Sequence, residues 1–175
     1  MSTPSTVYFS HGKESGPWGI KITYLAKVAE AHGLTVKSID YQETLDPDQR
    51  VEKLKSILEK ETSNIILAGS SMGGYVSAVT ANELAVQGLF LIAPALYFEH
   101  YKVAQYQPRT DHTYVIHGWD DDVVPVERAQ RFSTQNKATM QLIDGGHTLN
   151  DQLPAMGDFF QQFLNRCAPT EKPAA

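Results

Sequence analysis

The segment Ile65-Ile66-Leu67-Ala68-Gly69-Ser70-Ser71-Met72-Gly73-Gly74 joins an apolar run to a Gly-x-Ser-x-Gly pattern and then to a helix-like stretch of small residues. This is the layout of a nucleophile elbow, a sharp strand-to-helix turn that lifts one serine hydroxyl above the end of a sheet. Glycine is required on both sides because so tight a turn brings backbone segments too close for a Cβ. Only Ser71 has both glycines in register, since Ala68 stands where Ser70 would need one. Chance alone produces the pattern in roughly one chain in twenty of this length, so it carries weight only with partners. A serine hydroxyl is a poor nucleophile at neutral pH and needs an adjacent base.

In open α/β sheets, ligand chemistry gathers beyond the carboxyl ends of the strands. The polar residues that directly follow apolar runs are therefore the candidates. Ser10-His11-Gly12-Lys13-Glu14-Ser15-Gly16-Pro17 follows the first run, and Ser71 follows the third. His117-Gly118-Trp119-Asp120-Asp121-Asp122-Val123-Val124-Pro125 follows the fifth, and Gly145-Gly146-His147 the last. A serine, an acid and a histidine thus stand after three different strands. His11 and His117 each precede a glycine at a strand end and are expected to position their turns. His32, His100 and His112 lie in polar segments and are expected to be solvated.

The elements that must hold these groups are readable. Val7-Tyr8-Phe9, Thr35-Val36-Lys37-Ser38-Ile39, Ile65–Ala68, Leu89–Ala93, Tyr114-Val115-Ile116 and Met140–Ile143 are short apolar runs separated by helix-period segments. Consecutive apolar positions suit strands covered on both faces, hence a parallel sheet. The second run alternates more and is expected nearer an edge. Asp46-Pro47 with Gln49 reads as an N-cap, a first-turn proline and a capping-box partner. Val51, Leu54, Ile57 and Leu58 form one apolar helix face, and Met156, Phe159, Phe160, Phe163 and Leu164 another. The expected architecture is a three-layer αβα sandwich with a mostly parallel sheet of about six strands. It comprises a short segment 1–6, one domain over 7–167 and a disordered tail over 168–175.

Bulk properties narrow the function. A length of 175 residues suits one domain with a substantial core. The net charge of −5 with interspersed signs offers no basic stripe for nucleic acid. The single cysteine, Cys167, excludes a disulfide framework and a cysteine-rich zinc site, and no metal or other cofactor is implied. Residues 1–6 contain no basic residue and no apolar run reaches the ~18 residues of a membrane span. The expectation is a cytoplasmic protein with a small-molecule substrate; oligomeric state is not legible.

From Val7 to Leu164 the chain resembles the α/β-hydrolase superfamily, specifically its small lidless esterase-like and dienelactone-hydrolase-like members. Gly69–Gly74 resembles the elbow, His117–Pro125 the family's His-Gly-x-x-Asp-x-x-Val-Pro acid turn, and Gly145–His147 the loop carrying the base. The order serine, acid, histidine is also the family's. The acid turn puts Asp121 in the catalytic position, with Asp120 and Asp122 as flanking surface acids. Relative to the family, the first two strands and the lid are absent, and a serine replaces the cysteine of dienelactone hydrolases.

The resemblance implies a hydrolase with a Ser71–His147–Asp121 triad acting on small carboxylic esters or thioesters through an acyl-enzyme. The backbone N–H of Met72 and that of Lys13, in the loop after the first strand, are expected to form the oxyanion hole. Glu14 and Trp18 face the expected site. Tyr97 and Phe98, with Tyr101, either line a substrate pocket or cover the core edge. Perhydrolysis or C–C hydrolysis by the same triad, or an interaction module with little catalysis, are the alternatives.

Overall fold

The computed structural model describes residues 3–170. Six strands, β1 (Ser5–Ser10), β2 (Thr35–Ile39), β3 (Asn64–Ser70), β4 (Gly88–Ile92), β5 (Thr113–Gly118) and β6 (Thr139–Ile143), form one sheet in the order β2-β1-β3-β4-β5-β6. Every pairing is parallel, and β2, the strand with the alternating pattern, is an edge strand. The crossovers carry α1 (Ile20–Ala31), α2 (Pro47–Leu58), α3 (Met72–Glu83) and α4 (Val126–Asn136), and α5 (Leu153–Cys167) follows β6.

Two apolar layers flank the sheet. On one face Phe159, Phe160 and Phe163 of α5 pack with Leu25 of α1 against Val7, Phe9, Ile66 and Phe90. On the other, Val51 and Leu54 of α2 and Val76 and Val79 of α3 cover Tyr8, Leu67, Leu89 and Leu91. β3 and β4 therefore read as unbroken apolar runs because both faces are buried. Residues 93–112, between β4 and β5, contain no helix and form no lid.

Four local expectations are revised. Strand β1 begins at Ser5, inside the expected terminal segment 1–6. Asp46 caps α2 by accepting from the N–H groups of Asp48 and Gln49 (2.8 and 3.3 Å). Gln49 is not its capping-box partner, because the Thr44 hydroxyl takes both roles, donating to Gln49 Oε1 and accepting from the Asp46 N–H. His32, expected in solvent, is buried. Its ring meets the Ala168 carbonyl (2.7 Å) and Gln161 Nε2 (2.7 Å), contacts made only when α1 and α5 pack side by side. Of the expected tail, Ala168 is buried, and residues 171–175 lie outside the described residues.

Candidate active site

The elbow is built by close packing at Gly69 and Gly73. A Cβ on Gly69 would sit 2.1 Å from the Gly73 carbonyl oxygen, and one on Gly73 only 1.9 Å from that of Ser10. With α3 pressed so tightly on β1 and β3, Ser71 occupies the sharp turn at φ 55°, ψ −119°, a strained conformation for a residue with a side chain. Its N–H donates to the Ile92 carbonyl, and its own carbonyl accepts from Ala95 N–H. The turn is thereby tied to the end of β4.

The acid turn leaves β5 through Gly118, where a Cβ would meet the Gly145 carbonyl at 2.1 Å. This approach brings the acid turn against the histidine loop, as do the backbone bonds from Trp119 to Ile143 and from Asp120 to Gly145. The Asp121 side chain is fully buried. Its Oδ1 accepts from the N–H groups of Val123 (2.9 Å) and Val124 (2.8 Å). Its Oδ2 lies 2.8 Å from His147 Nδ1, and His147 Nε2 lies 3.0 Å from Ser71 Oγ. Asp120 and Asp122 are exposed.

A second histidine also reaches this carboxylate. The buried ring of His117 places Nε2 2.9 Å from the Val124 carbonyl and 3.1 Å from Asp121 Oδ2. A carbonyl can only accept, so Nε2 carries the proton. Burial lowers the His117 pKa, more than the attraction of Asp121 raises it. His117 therefore stays neutral and holds Asp121 by a hydrogen bond.

These groups open onto a cavity of about 800 Å³ lined by the loop after β1, by Met72, Ala95, Phe98 and Tyr101, and by Val123 and His147. Lys13 and Glu14 border it, and so do Ile20 and Lys21, which no sequence motif singles out. Lys21 Nζ donates to the Thr148 carbonyl next to His147 (2.8 Å). Burial pushes its pKa down to about 8 against the opposing pull of Asp121. Met72, at the first position of α3, has no intrahelical acceptor for its N–H.

Trp18 and Tyr97 are not part of the lining. Trp18 is 55 % exposed on the surface. Tyr97 lies in the left-handed region at φ 59°, with its ring against Tyr106 and under the Arg131 guanidinium. Arg128 similarly covers Phe98 at 4.0 Å, so the Tyr97–Tyr101 stretch is no bare apolar patch. A polar cavity of about 570 Å³, lined by Gln87, Arg109, Asp111 and His112, sits at the amino ends of β4 and β5 and holds none of these groups. Among the described residues no group of three or more His, Cys, Asp or Glu side chains could hold a metal ion. No helix there is long and apolar enough to cross a membrane.

A parallel six-stranded sheet with helices on both faces, an elbow serine after β3 and no lid defines an α/β-hydrolase fold, and solved structures bear this out. A Xanthomonas campestris protein provisionally described as a hydrolase of the alpha/beta superfamily is 28% identical. The match covers 95% of this chain and 99% of that one, at a TM-score of 0.85. A lidless α/β serine hydrolase of the same organism is 22% identical over 98% and 86% of the two chains (TM-score 0.77). Est1E from Butyrivibrio proteoclasticus, with ferulic acid bound, is 15% identical over 97% and 91% (TM-score 0.79). The chain belongs to the uncharacterised protein family UPF0227, whose model matches residues 5–103. No curated protein matches.

Proposed function

We propose that this protein is a serine hydrolase that cleaves small carboxylic esters or thioesters through an acyl-enzyme. The observation that carries this reading is the continuous relay from Ser71 Oγ through His147 (3.0 Å) to the buried Asp121 carboxylate (2.8 Å). In the first step His147 Nε2 takes the Ser71 proton as Oγ attacks the carbonyl carbon. Asp121, accepting from Nδ1–H, fixes the tautomer and favours the imidazolium that forms. The oxyanion is received by the Met72 and Lys13 N–H groups, the former at a helix N-terminus whose dipole favours negative charge. Collapse returns the proton to the leaving alcohol or thiol, and water repeats the cycle on the acyl-enzyme.

The lining supports a substrate of modest size with one apolar part. Phe98, Tyr101, Val123 and Ile20 offer an apolar wall, and the absence of a lid suits an accessible ester. Ferulic acid in the Butyrivibrio relative makes an aromatic acyl group a reasonable first series to assay.

The test is covalent labelling with a fluorophosphonate probe, located by mass spectrometry, beside turnover of short-chain p-nitrophenyl esters. A single adduct on Ser71, absent in Ser71→Ala and in His147→Ala, is the expected result. Folded protein with neither adduct nor turnover would overturn it in favour of an interaction module.

A further inference from the structure

Arg50 has the largest fully buried side chain among the described residues, yet none of the salt bridges there involves it. Its guanidinium, on the first turn of α2, donates only to backbone carbonyls. Nε reaches Thr44 O (2.9 Å), Nη1 reaches Gly12 O (3.0 Å) and His11 O (3.4 Å), and Nη2 reaches Lys13 O (3.2 Å). Three consecutive carbonyls of the loop after β1 thus turn toward one cation, which also lies 5.5 Å from the Tyr41 ring centre.

The Gly12 carbonyl has a second anchor. Tyr41 N–H donates to His11 Nε2 (2.9 Å), so the His11 proton is on Nδ1, which donates to Gly12 O (2.7 Å). Two buried side chains, thirty-nine residues apart in sequence, converge on one peptide oxygen.

A trans peptide points its C=O and its N–H in opposite directions. With the His11, Gly12 and Lys13 carbonyls drawn to Arg50, the N–H groups of Gly12, Lys13 and Glu14 are aimed away from it. Gly12 faces the elbow, for a Cβ there would lie 3.7 Å from Ser71 Cβ and 3.8 Å from Ser70 O. The cavity is on that side.

We propose that Arg50, with His11, is the positioning device of the oxyanion hole. Together they hold the Gly12–Lys13 peptide so that Lys13 N–H points at the oxyanion formed on Ser71, and the buried charge polarises that peptide further. This rests on the hydrolase reading above. Arg50 touches no reacting atom; it acts through the peptide. A hydrogen bond to a cation is stronger than one to a neutral donor and polarises its acceptor. A preset donor also costs no reorganisation when charge develops.

The experiment compares kcat and KM for a p-nitrophenyl ester in Arg50→Gln, Arg50→Lys, His11→Gln and His11→Asn, with circular dichroism on each. Arg50→Gln should lower kcat by about 10²–10³-fold, the usual cost of losing an oxyanion donor, with KM nearly unchanged. Arg50→Lys, which keeps the charge, should recover part of it. Among the histidine variants, Gln keeps an acceptor for Tyr41 but loses the donor to Gly12, whereas Asn keeps that donor. We expect about a tenfold loss of kcat in the first and little in the second.

Should Arg50→Gln fail to fold, the histidine pair decides the matter. Equal kcat in His11→Gln and His11→Asn, or a folded Arg50→Gln with wild-type kcat, would overturn the proposal. Wild-type protein without a Ser71 adduct would instead overturn the hydrolase reading beneath it.

Discussion

Asp121 separates from its neighbours by burial. Asp120 and Asp122 stand in solvent, whereas the Asp121 carboxylate is fully covered and accepts from two backbone N–H groups, His117 and His147. Asparagine at 121 presents an amide where the carboxylate accepts, and His147 is then driven to the wrong tautomer. Asp121→Asn should therefore lower kcat by about 10⁴, while Asp120→Asn and Asp122→Asn should change it little. Ester turnover of the three variants side by side checks this, and equal losses would displace Asp121 from its proposed role. At this scale the sequence singled out Ser71, Asp121 and His147 because each lies just beyond the carboxyl end of a strand, and the structure brings these three candidates within hydrogen-bond reach. The sequence was not legible for Arg50 or His32, whose partners lie on elements far away in the chain, nor for Tyr97, whose left-handed backbone sets a side-chain direction that no pattern encodes.

At the scale of elements, the site depends on the approach of two loops that no single strand controls. The acid turn after β5 and the histidine loop after β6 touch because Gly118 has no side chain. A methyl at 118, built 2.1 Å from the Gly145 carbonyl, must push β5 and β6 apart at their carboxyl ends. The phenylalanines of α5 also pack on Phe9 and Phe90, in β1 and β4, so much of the fold should survive while the 2.8 Å contact between His147 and Asp121 opens. Gly118→Ala is expected to cost about 1–3 kcal/mol of stability, as overpacking does, and to lose kcat by more than that destabilisation accounts for. Urea denaturation and ester turnover on one preparation measure both, and a variant with full activity would show that the loops are not held by this contact. The parallel sheet and the edge position of β2 followed from the apolar runs, whereas the strand order did not. The Gly118–Gly145 approach did not, because it joins two strands twenty residues apart by backbone alone.

For the whole molecule, the buried bases set how stability varies with pH. His11 and His117 are neutral in the folded state, and burial lowers the pKa of each below the ordinary histidine value. The unfolded chain therefore takes up protons through the ordinary range near 6.5 while the folded one resists them. Their contribution is fully present above about pH 6.5 and is lost as the pH falls below it. Lys21 acts at the other end. Its folded pKa of about 8 lies below the unfolded value near 10.5, so between those limits the unfolded state holds the extra proton and the Lys21 contribution rises with pH. Burial raises the folded pKa of Cys167, to about 12, and of Tyr41 and Tyr75, so these groups ionise first in the unfolded chain and lower stability above about pH 9. The expected profile thus falls on the acid side, climbs between about pH 8 and 9 and turns down beyond. His117→Gln, which cannot gain a charge, should flatten the fall between pH 7 and 5.5, before the carboxylates titrate. Lys21→Met should flatten the alkaline climb and be more stable than wild type at pH 7 relative to pH 10, since it no longer buries an ammonium. Denaturation midpoints of the three proteins across pH 5.5 to 10 measure this. Parallel profiles would mean that neither side chain changes its proton affinity on folding.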